Sequence, residues 1–228
     1  IFAGGCALSW FKRKEKIATF CNVSPERVIS APDVESIYDV PLNYEKDGLG
    51  DILTEVLGLP KRQSKLDDWK AFASKSKKTK KEVEIAVVGK YFDSGSYTLS
   101  DVYISVLEAI KTAGYHLGVK PKLVYLNSKD FESGKLSYKV LSNYAGILVP
   151  GGFGETGVEG IIGAIKFARE HAIPYFGLCY GMQLMVIEYA RNVAGLKGAN
   201  TAEIDPKAKH LLIDVMLDQI DKLTKNDY

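Results

Sequence analysis

The chain has 228 residues, of which 46% are hydrophobic and 25% charged, and its formal net charge is +2. That length carries one large domain, or one domain and part of another, and the balance is that of an ordinary soluble globular protein in which nothing demands nucleic acid or an acidic partner. Three cysteines, Cys6, Cys21 and Cys179, lie far apart in the sequence and indicate neither a disulfide framework nor a zinc cluster.

A reducing, cytoplasmic setting fits this cysteine usage best. No apolar run reaches the roughly 18 residues that span a bilayer, so no membrane segment is expected. The opening Ile1-Phe-Ala-Gly-Gly-Cys-Ala-Leu-Ser-Trp10 lacks the basic lead and cleavage pattern of a signal peptide, and it has no initial methionine. The expectation is a chain that begins partway through a longer protein.

Residues 11 to 22 read as a basic amphipathic helix with Ile17, Phe20 and Cys21 on one face and Asn22 as its stop. Arg27 to Ala31 reads as a short strand, and Ser36 to Leu42 as chain extended up to its proline, Pro41. From Leu49 to Leu59 the spacing of Ile52, Leu53, Val56 and Leu57 predicts a helix stopped by Gly58 and Pro60. After a short helix around Leu66 to Phe72, the run Ala73-Ser-Lys-Ser-Lys-Lys-Thr-Lys-Lys-Glu82 is polar, basic and without apolar period, and reads as an interdomain linker. It is short and has no interleaved aromatics, unlike a nucleic-acid tail.

Beyond the linker the pattern becomes strand, helix, strand, repeatedly. Val83 to Gly89, Lys122 to Leu126, Tyr144 to Val149 and Pro174 to Leu178 are apolar runs of strand length. Leu99 to Ala113, with Val102, Val106, Leu107 and Ile110 inward, and Val158 to His171 read as helices. Continuous apolar strands separated by amphipathic helices predict an α/β fold with a parallel sheet and helices on both faces. In such sheets ligands gather at the carboxyl ends of the strands.

Two features fall at those ends. The run Pro174-Tyr-Phe-Gly-Leu-Cys179-Tyr-Gly-Met-Gln183 puts Cys179 at the turn from a strand into a helix, with Met182, Met185, Val186 and Tyr189 marking the helical period. A thiol there projects from a sharp turn, faces a helix N-terminus that favours the thiolate, and has Gly177 and Gly181 beside it to leave room for a substrate. The second feature, Pro150-Gly-Gly-Phe-Gly154, directly follows a buried strand and offers backbone N–H groups for an oxyanion or a substrate backbone. No Gly-Lys-Ser/Thr follows, which excludes a P-loop there.

These residues resemble a known family. Pro150 to Gly154, Gly177-Leu-Cys-Tyr-Gly-Met-Gln183, Glu188-Tyr-Ala-Arg-Asn192 and Ala199-Asn-Thr-Ala-Glu203 are similar to the class I (triad) glutaminase domain of the CTP synthases. Lys16 to Val23, Val28 to Val34, Ser36 to Pro41 and Gly89-Lys-Tyr91 resemble the end of that family's P-loop-like amidoligase domain and the first glutaminase strand. The resemblance implies an amidoligase part over residues 1–60, a basic linker over 61–82 and a C-terminally incomplete glutaminase domain, its α/β fold of flavodoxin-like type, over 83–228.

It implies ATP-dependent amination of UTP to CTP with ammonia from glutamine, magnesium and ATP as cofactors, GTP as effector and a homotetramer. It matches Cys179 to the nucleophile. Gly152, Tyr180, Gly181, Met182, Gln183 and Glu203 match glutamine-site positions, Lys16 a UTP/CTP-site lysine, and Pro32, Asp33 and Val34 a segment lining the ATP site. Tyr180 stands where leucine or phenylalanine is usual, Thr156 where arginine is frequent and Pro32 where lysine is frequent.

The family's base and orienting acid, a His-x-Glu pair, and an arginine for the glutamine carboxylate lie C-terminal to the position of Tyr228. His116, His171 and His210 do not match the pair. Two other readings account for part of the chain: a non-catalytic glutaminase-like binding module, and another triad γ-glutamyl hydrolase, which explains Cys179 but not residues 16 to 41.

Overall fold

A computed structural model describes residues 2–3, 10–90, 93–94, 97–98 and 103–216. The chain divides into two compact units, Ile1–Lys80 and Lys81–Tyr228.

In the first unit, β1 (Phe2–Ala3) pairs in parallel with β2 (Ile29–Ser30), and α1 spans Trp10–Cys21. Among the residues of α1 whose burial is described, Ala18 is buried whereas Phe20 and Cys21 are exposed, Phe20 by 82%. The helix stops as its sequence implies, because Asn22 takes φ +51°, which asparagine tolerates better than most side chains. The strand expected over Arg27 to Ala31 is only two residues long, preceded by a 3-10 turn over Pro25–Arg27.

The segment expected to be extended at Ser36 to Leu42 is helical instead. A 3-10 turn at Ile37–Asp39 runs into α2 (Val40–Lys46), with Pro41 in the first turn, where its missing N–H has no helical partner to lose. Helix α3 follows at Leu49–Val56.

Helix α4 (Asp67–Lys78) continues six residues past its expected end and takes in part of the run read as linker. Asp67 and Asp68 stand in its first turn and Lys75, Lys77 and Lys78 in its last, the arrangement that complements the helix dipole. The helix is held by Trp69 and Phe72, whose rings pack on Tyr38, and the Trp69 indole N–H donates to the Tyr38 carbonyl at 2.8 Å.

The second unit is built on β3 (Glu82–Gly89). A hairpin pair, β4 (Asp93–Ser94) and β5 (Tyr97–Thr98), comes next; then α5 (Ile104–His116), β6 (Lys120–Asn127), α6 (Ser128–Glu132), a 3-10 turn at Tyr138–Asn143 and β7 (Gly146–Val149). The chain continues through α7 (Val158–Glu170), β8 (Tyr175–Gly177), α8 (Tyr180–Asn192), β9 (Ala199–Thr201) and β10 (His210–Ile213), the last two paired in parallel. The expected start of α5, residues 99–102 with Val102, lies outside the described residues.

Strand order in the main sheet is β6-β3-β7-β8, all parallel. Period-two alternation sends Ala86, Val88, Ile147 and Val149 to one face, packed under α7 and α8, and Val87 and Leu148 to the other with Leu107 of α5. Both faces therefore carry helices, as the unbroken apolar strands require. On the α5 side an apolar groove of about 760 Å³, lined by Ile110, Leu148, Phe176 and Leu178 among others, runs along β7 and β8.

One topological fact positions the site. From β3 the chain passes to β6 on one side, then returns to β7 on the other side of β3, so connections diverge between β3 and β7. A crevice forms at the carboxyl ends of strands where connections diverge in this way. Lys90 follows β3 at that point, and Pro150 to Gly154 follow β7.

Candidate active site

Strand β8 ends at Gly177, and Leu178 still donates to the Val149 carbonyl at 2.9 Å before the chain turns. Cys179 then takes φ +48° and ψ −103°, left-handed space that a residue with a Cβ occupies only under constraint. The next bonds are Gly181 N–H to Leu178 O at 2.9 Å and Gln183 N–H to Cys179 O at 3.0 Å, so α8 starts at once. Cys179 is its N-cap residue and is exposed. This is a strained strand-to-helix elbow with a thiol at its tip.

The glycines around it pack closely. A Cβ on Gly177 would lie 2.6 Å from the Gly181 carbonyl carbon, and one on Gly181 would lie 2.4 Å from the Val149 carbonyl oxygen. These two residues let strand and helix backbones meet; they are not open space for a substrate, as the sequence suggested. Gly151 is the glycine that faces the thiol, since a Cβ there would stand 3.6 Å from the Cys179 Cβ.

The glycine turn after β7 is held from several sides. Lys90, only 7% exposed, donates through Nζ to Phe153 O at 3.1 Å and to Gly154 O, and it lies 3.5 Å from the Tyr180 hydroxyl. The Tyr180 hydroxyl donates to Gly154 O at 2.7 Å, and the Lys90 ammonium sits 4.5 Å from the Tyr180 ring centroid. Burial lowers the Lys90 pKa, with the charges of Glu203 and Glu132 opposing the shift. Gly154 N–H donates to Glu203 Oε1 at 2.6 Å. Glu203 follows β9, where its own N–H donates to Thr201 Oγ1 at 3.0 Å.

The structure thus brings together Cys179, the Gly151–Gly154 turn, Tyr180 and Glu203. Tyr180 and Gly181 are buried in packing roles, Gln183 is half-buried, and Met182 is 48% exposed on the outer side of α8. Lys16 lies exposed on α1, Pro32 and Asp33 are exposed and Val34 is half-buried just after β2, all in the first unit. Thr156 is exposed in the loop before α7.

His116 and His171 end α5 and α7, at the end of the sheet opposite Cys179, and His210 opens β10. Sequence reasoning gave Lys90 no role of its own. Its signal was a lysine placed directly after a buried strand, which needs a reason to leave water.

Two other residues of the matched segments prove structural. Glu188, 1% exposed, takes Arg169 Nη2 at 2.8 Å and Nε at 3.0 Å, and Asn192 Nδ2 at 3.2 Å. Arg191 reaches Glu159 at 2.9 Å and the Ala199 carbonyl at 2.6 Å. Together they tie α8 to α7 and β9.

Two family models match this chain. The glutamine amidotransferase class-I family matches residues 98–221, and the CTP synthase N-terminus family matches residues 10–59. A CTP synthase of Caldanaerobacter subterraneus is 50% identical over 208 residues, covering 91% of this chain and 38% of its own length. One of Methanocaldococcus jannaschii is 45% identical over 213 residues, with the same two coverages of 91% and 38%. The chain therefore spans well under half the length of these curated relatives. Among solved structures, the Trypanosoma brucei CTPS glutaminase domain with bound acivicin superposes with a TM-score of 0.54 at 38% identity, over 60% of this chain and 51% of that one.

Proposed function

Since this chain belongs to the CTP synthase branch of the class-I glutamine amidotransferase family, we propose that Cys179 hydrolyses glutamine and that the ammonia aminates UTP to CTP at the expense of ATP in the whole protein. The observation that carries the reading is the Cys179 elbow set against the Gly151–Gly154 turn at the divergence of the sheet.

In this reading the Cys179 thiolate attacks the side-chain amide carbon of glutamine. The carbonyl oxygen takes up the negative charge and is met by backbone N–H groups of the glycine turn, Gly152 foremost. The proton given up by the thiol is delivered to the amide nitrogen, so that collapse breaks the C–N bond, expels ammonia and leaves a glutamyl thioester. Water then cleaves the thioester to glutamate and regenerates the thiol. Glu203 suits the α-ammonium of glutamine, and Tyr180 to Gln183 are assigned to the glutamine site by resemblance to the family.

We assign the remaining roles by resemblance to the family: Lys16 at the UTP/CTP phosphates, Pro32, Asp33 and Val34 along ATP, GTP as effector, a homotetramer and a cytoplasmic location. The division into an amidoligase part (1–60), a linker (61–82) and a glutaminase part (83–228) belongs to the same proposal. Magnesium would serve the ATP step, but among the described residues no group of three or more His, Cys, Asp or Glu comes together to hold an ion, and no ligand is assigned to this chain.

The test is Cys179→Ser in the complete protein. Glutamine-dependent CTP formation is expected to disappear while formation from free ammonia persists. Loss of both in a folded variant, or retention of the glutamine-dependent reaction, would overturn the proposal.

A further inference from the structure

Phe153 and Gly154 share one planar trans peptide unit, so its C=O and N–H point in opposite directions. Both ends of that unit are held by charged side chains. Lys90 Nζ donates to the Phe153 carbonyl at 3.1 Å, and the Gly154 N–H donates to Glu203 at 2.6 Å. The following carbonyl, Gly154 O, takes both Lys90 and the Tyr180 hydroxyl, the latter at 2.7 Å. A peptide plane fixed at both ends cannot flip, and it anchors the far end of a turn whose near end stands against the nucleophile, since a Cβ on Gly151 would lie 3.6 Å from the Cys179 Cβ. Lys90 directly follows β3, the turn follows β7, Tyr180 starts α8 and Glu203 lies beyond β9, so four segments meet at this turn at the switch point of the sheet, three of them through the ammonium and the fourth through the Gly154 N–H.

An ordinary packing role does not account for this lysine. An apolar residue would fill the space without the desolvation of an ammonium, and burial of a lysine is retained only where its donors are needed. Those donors go to carbonyls of the turn that borders the thiol.

We infer that Lys90 is a positioning residue for glutamine hydrolysis, which orients the Gly151–Gly154 turn as an oxyanion-binding element and shares that task with the Tyr180 hydroxyl. The inference rests on the glutaminase reading above. Because the oxyanion exists in the transition state and not in bound glutamine, a turn set at the wrong angle lowers kcat and leaves KM nearly unchanged.

The test uses the complete protein and three variants. Lys90→Met keeps the length of the side chain and removes its donors. Glutamine hydrolysis is expected to lose about tenfold to a hundredfold in kcat, with KM within about threefold of wild type, the scale of a small misplacement of reacting groups. Alkylation of Cys179 by iodoacetamide needs no oxyanion site and is expected to keep its rate.

Tyr180→Phe removes one hydroxyl from the same carbonyl and is expected to lower kcat by a smaller factor. Combined with Lys90→Met it should give less than the product of the two losses, because both act on one turn. Should Lys90→Met fail to fold, Tyr180→Phe alone decides.

Unchanged kcat in the folded variants overturns the inference, as does a loss confined to KM or a parallel loss of iodoacetamide reactivity. Cys179→Ser, run alongside, separates the two levels. If it retains glutamine hydrolysis, the glutaminase reading itself fails; if it loses hydrolysis while Lys90→Met is unimpaired, only the role of Lys90 fails.

Discussion

Gly177 and Gly181 touch backbone to backbone across the Cys179 elbow: a Cβ on Gly177 would come 2.6 Å from both the carbonyl carbon and the carbonyl oxygen of Gly181. No flexible side chain lies in that contact to give way, and Gly181 is in turn pressed on the Val149 carbonyl. Gly177→Ala and Gly181→Ala are each expected to destabilise the chain by about 2–3 kcal/mol through overpacking. Thermal unfolding would show a fall on the order of 5–10 °C. An unchanged midpoint in Gly177→Ala would mean that the elbow adjusts far more easily than this contact implies.

The buried carboxylate of Glu188 makes the second expectation. Arg169 holds it from α7 through three hydrogen bonds of 2.8 to 3.2 Å, and this raises the already high Arg169 pKa. Removing one partner strands a charge in the core. Arg169→Met should cost about 2–3 kcal/mol, below the roughly 3–5 of a fully buried pair because the Arg169 side chain is itself a third exposed. Adding Glu188→Leu to it should restore most of the loss. Urea midpoints of the two single variants and the double variant form the cycle, and simple additivity would contradict the pairing.

Much of this fold was legible because parallel strands buried on both faces read as unbroken apolar runs, and Val83 to Gly89 and Tyr144 to Val149 are such runs. The elbow was legible from a cysteine between such a run and a helical period. The helix at Val40–Lys46 was not, since Pro41 reads as a helix stop and is instead tolerated in a first turn. The lysines of α4 gave no apolar period because the helix is anchored by Trp69 and Phe72 near its start and by charge at its end. The turn's supports were invisible for a different reason. Lys90, Tyr180 and Glu203 lie 90 and 23 residues apart in sequence, and only strand order brings them to one turn.

Alkali is expected to weaken the fold through its tyrosines. The Tyr175 hydroxyl donates to the Gly181 carbonyl at 2.9 Å, and burial raises its pKa; burial also raises those of Tyr125, Tyr138 and Tyr144. In the unfolded chain these groups lose their protons near pH 10, while the folded chain still holds them. The unfolded state then binds fewer protons, so stability is fully present below about pH 10 and falls as pH rises above it. Urea midpoints at pH 8 and pH 11 should drop in the wild type and drop less in Tyr175→Phe. Equal drops in both would remove Tyr175 from the account.

The phase of α8 provides the last expectation. Met182, Met185, Val186 and Tyr189 mark the helical period in the sequence, yet each is at least 40% exposed, while Leu184 and Ile187 are fully buried. The helix is apolar on two sides, and its buried side was hidden because Glu188 lies on it, neutralised by a residue from another helix. A charged residue inside and methionines outside invert the usual pattern. Leu184→Ala and Ile187→Ala should therefore cost about 2–5 kcal/mol each, whereas Met185→Lys and Val186→Lys should stay within about 0.5 kcal/mol of the parent chain. If the lysine variants unfold at markedly lower temperature, the outer face of α8 is buried in the molecule in solution, and its apolar residues belong to a contact rather than to a surface.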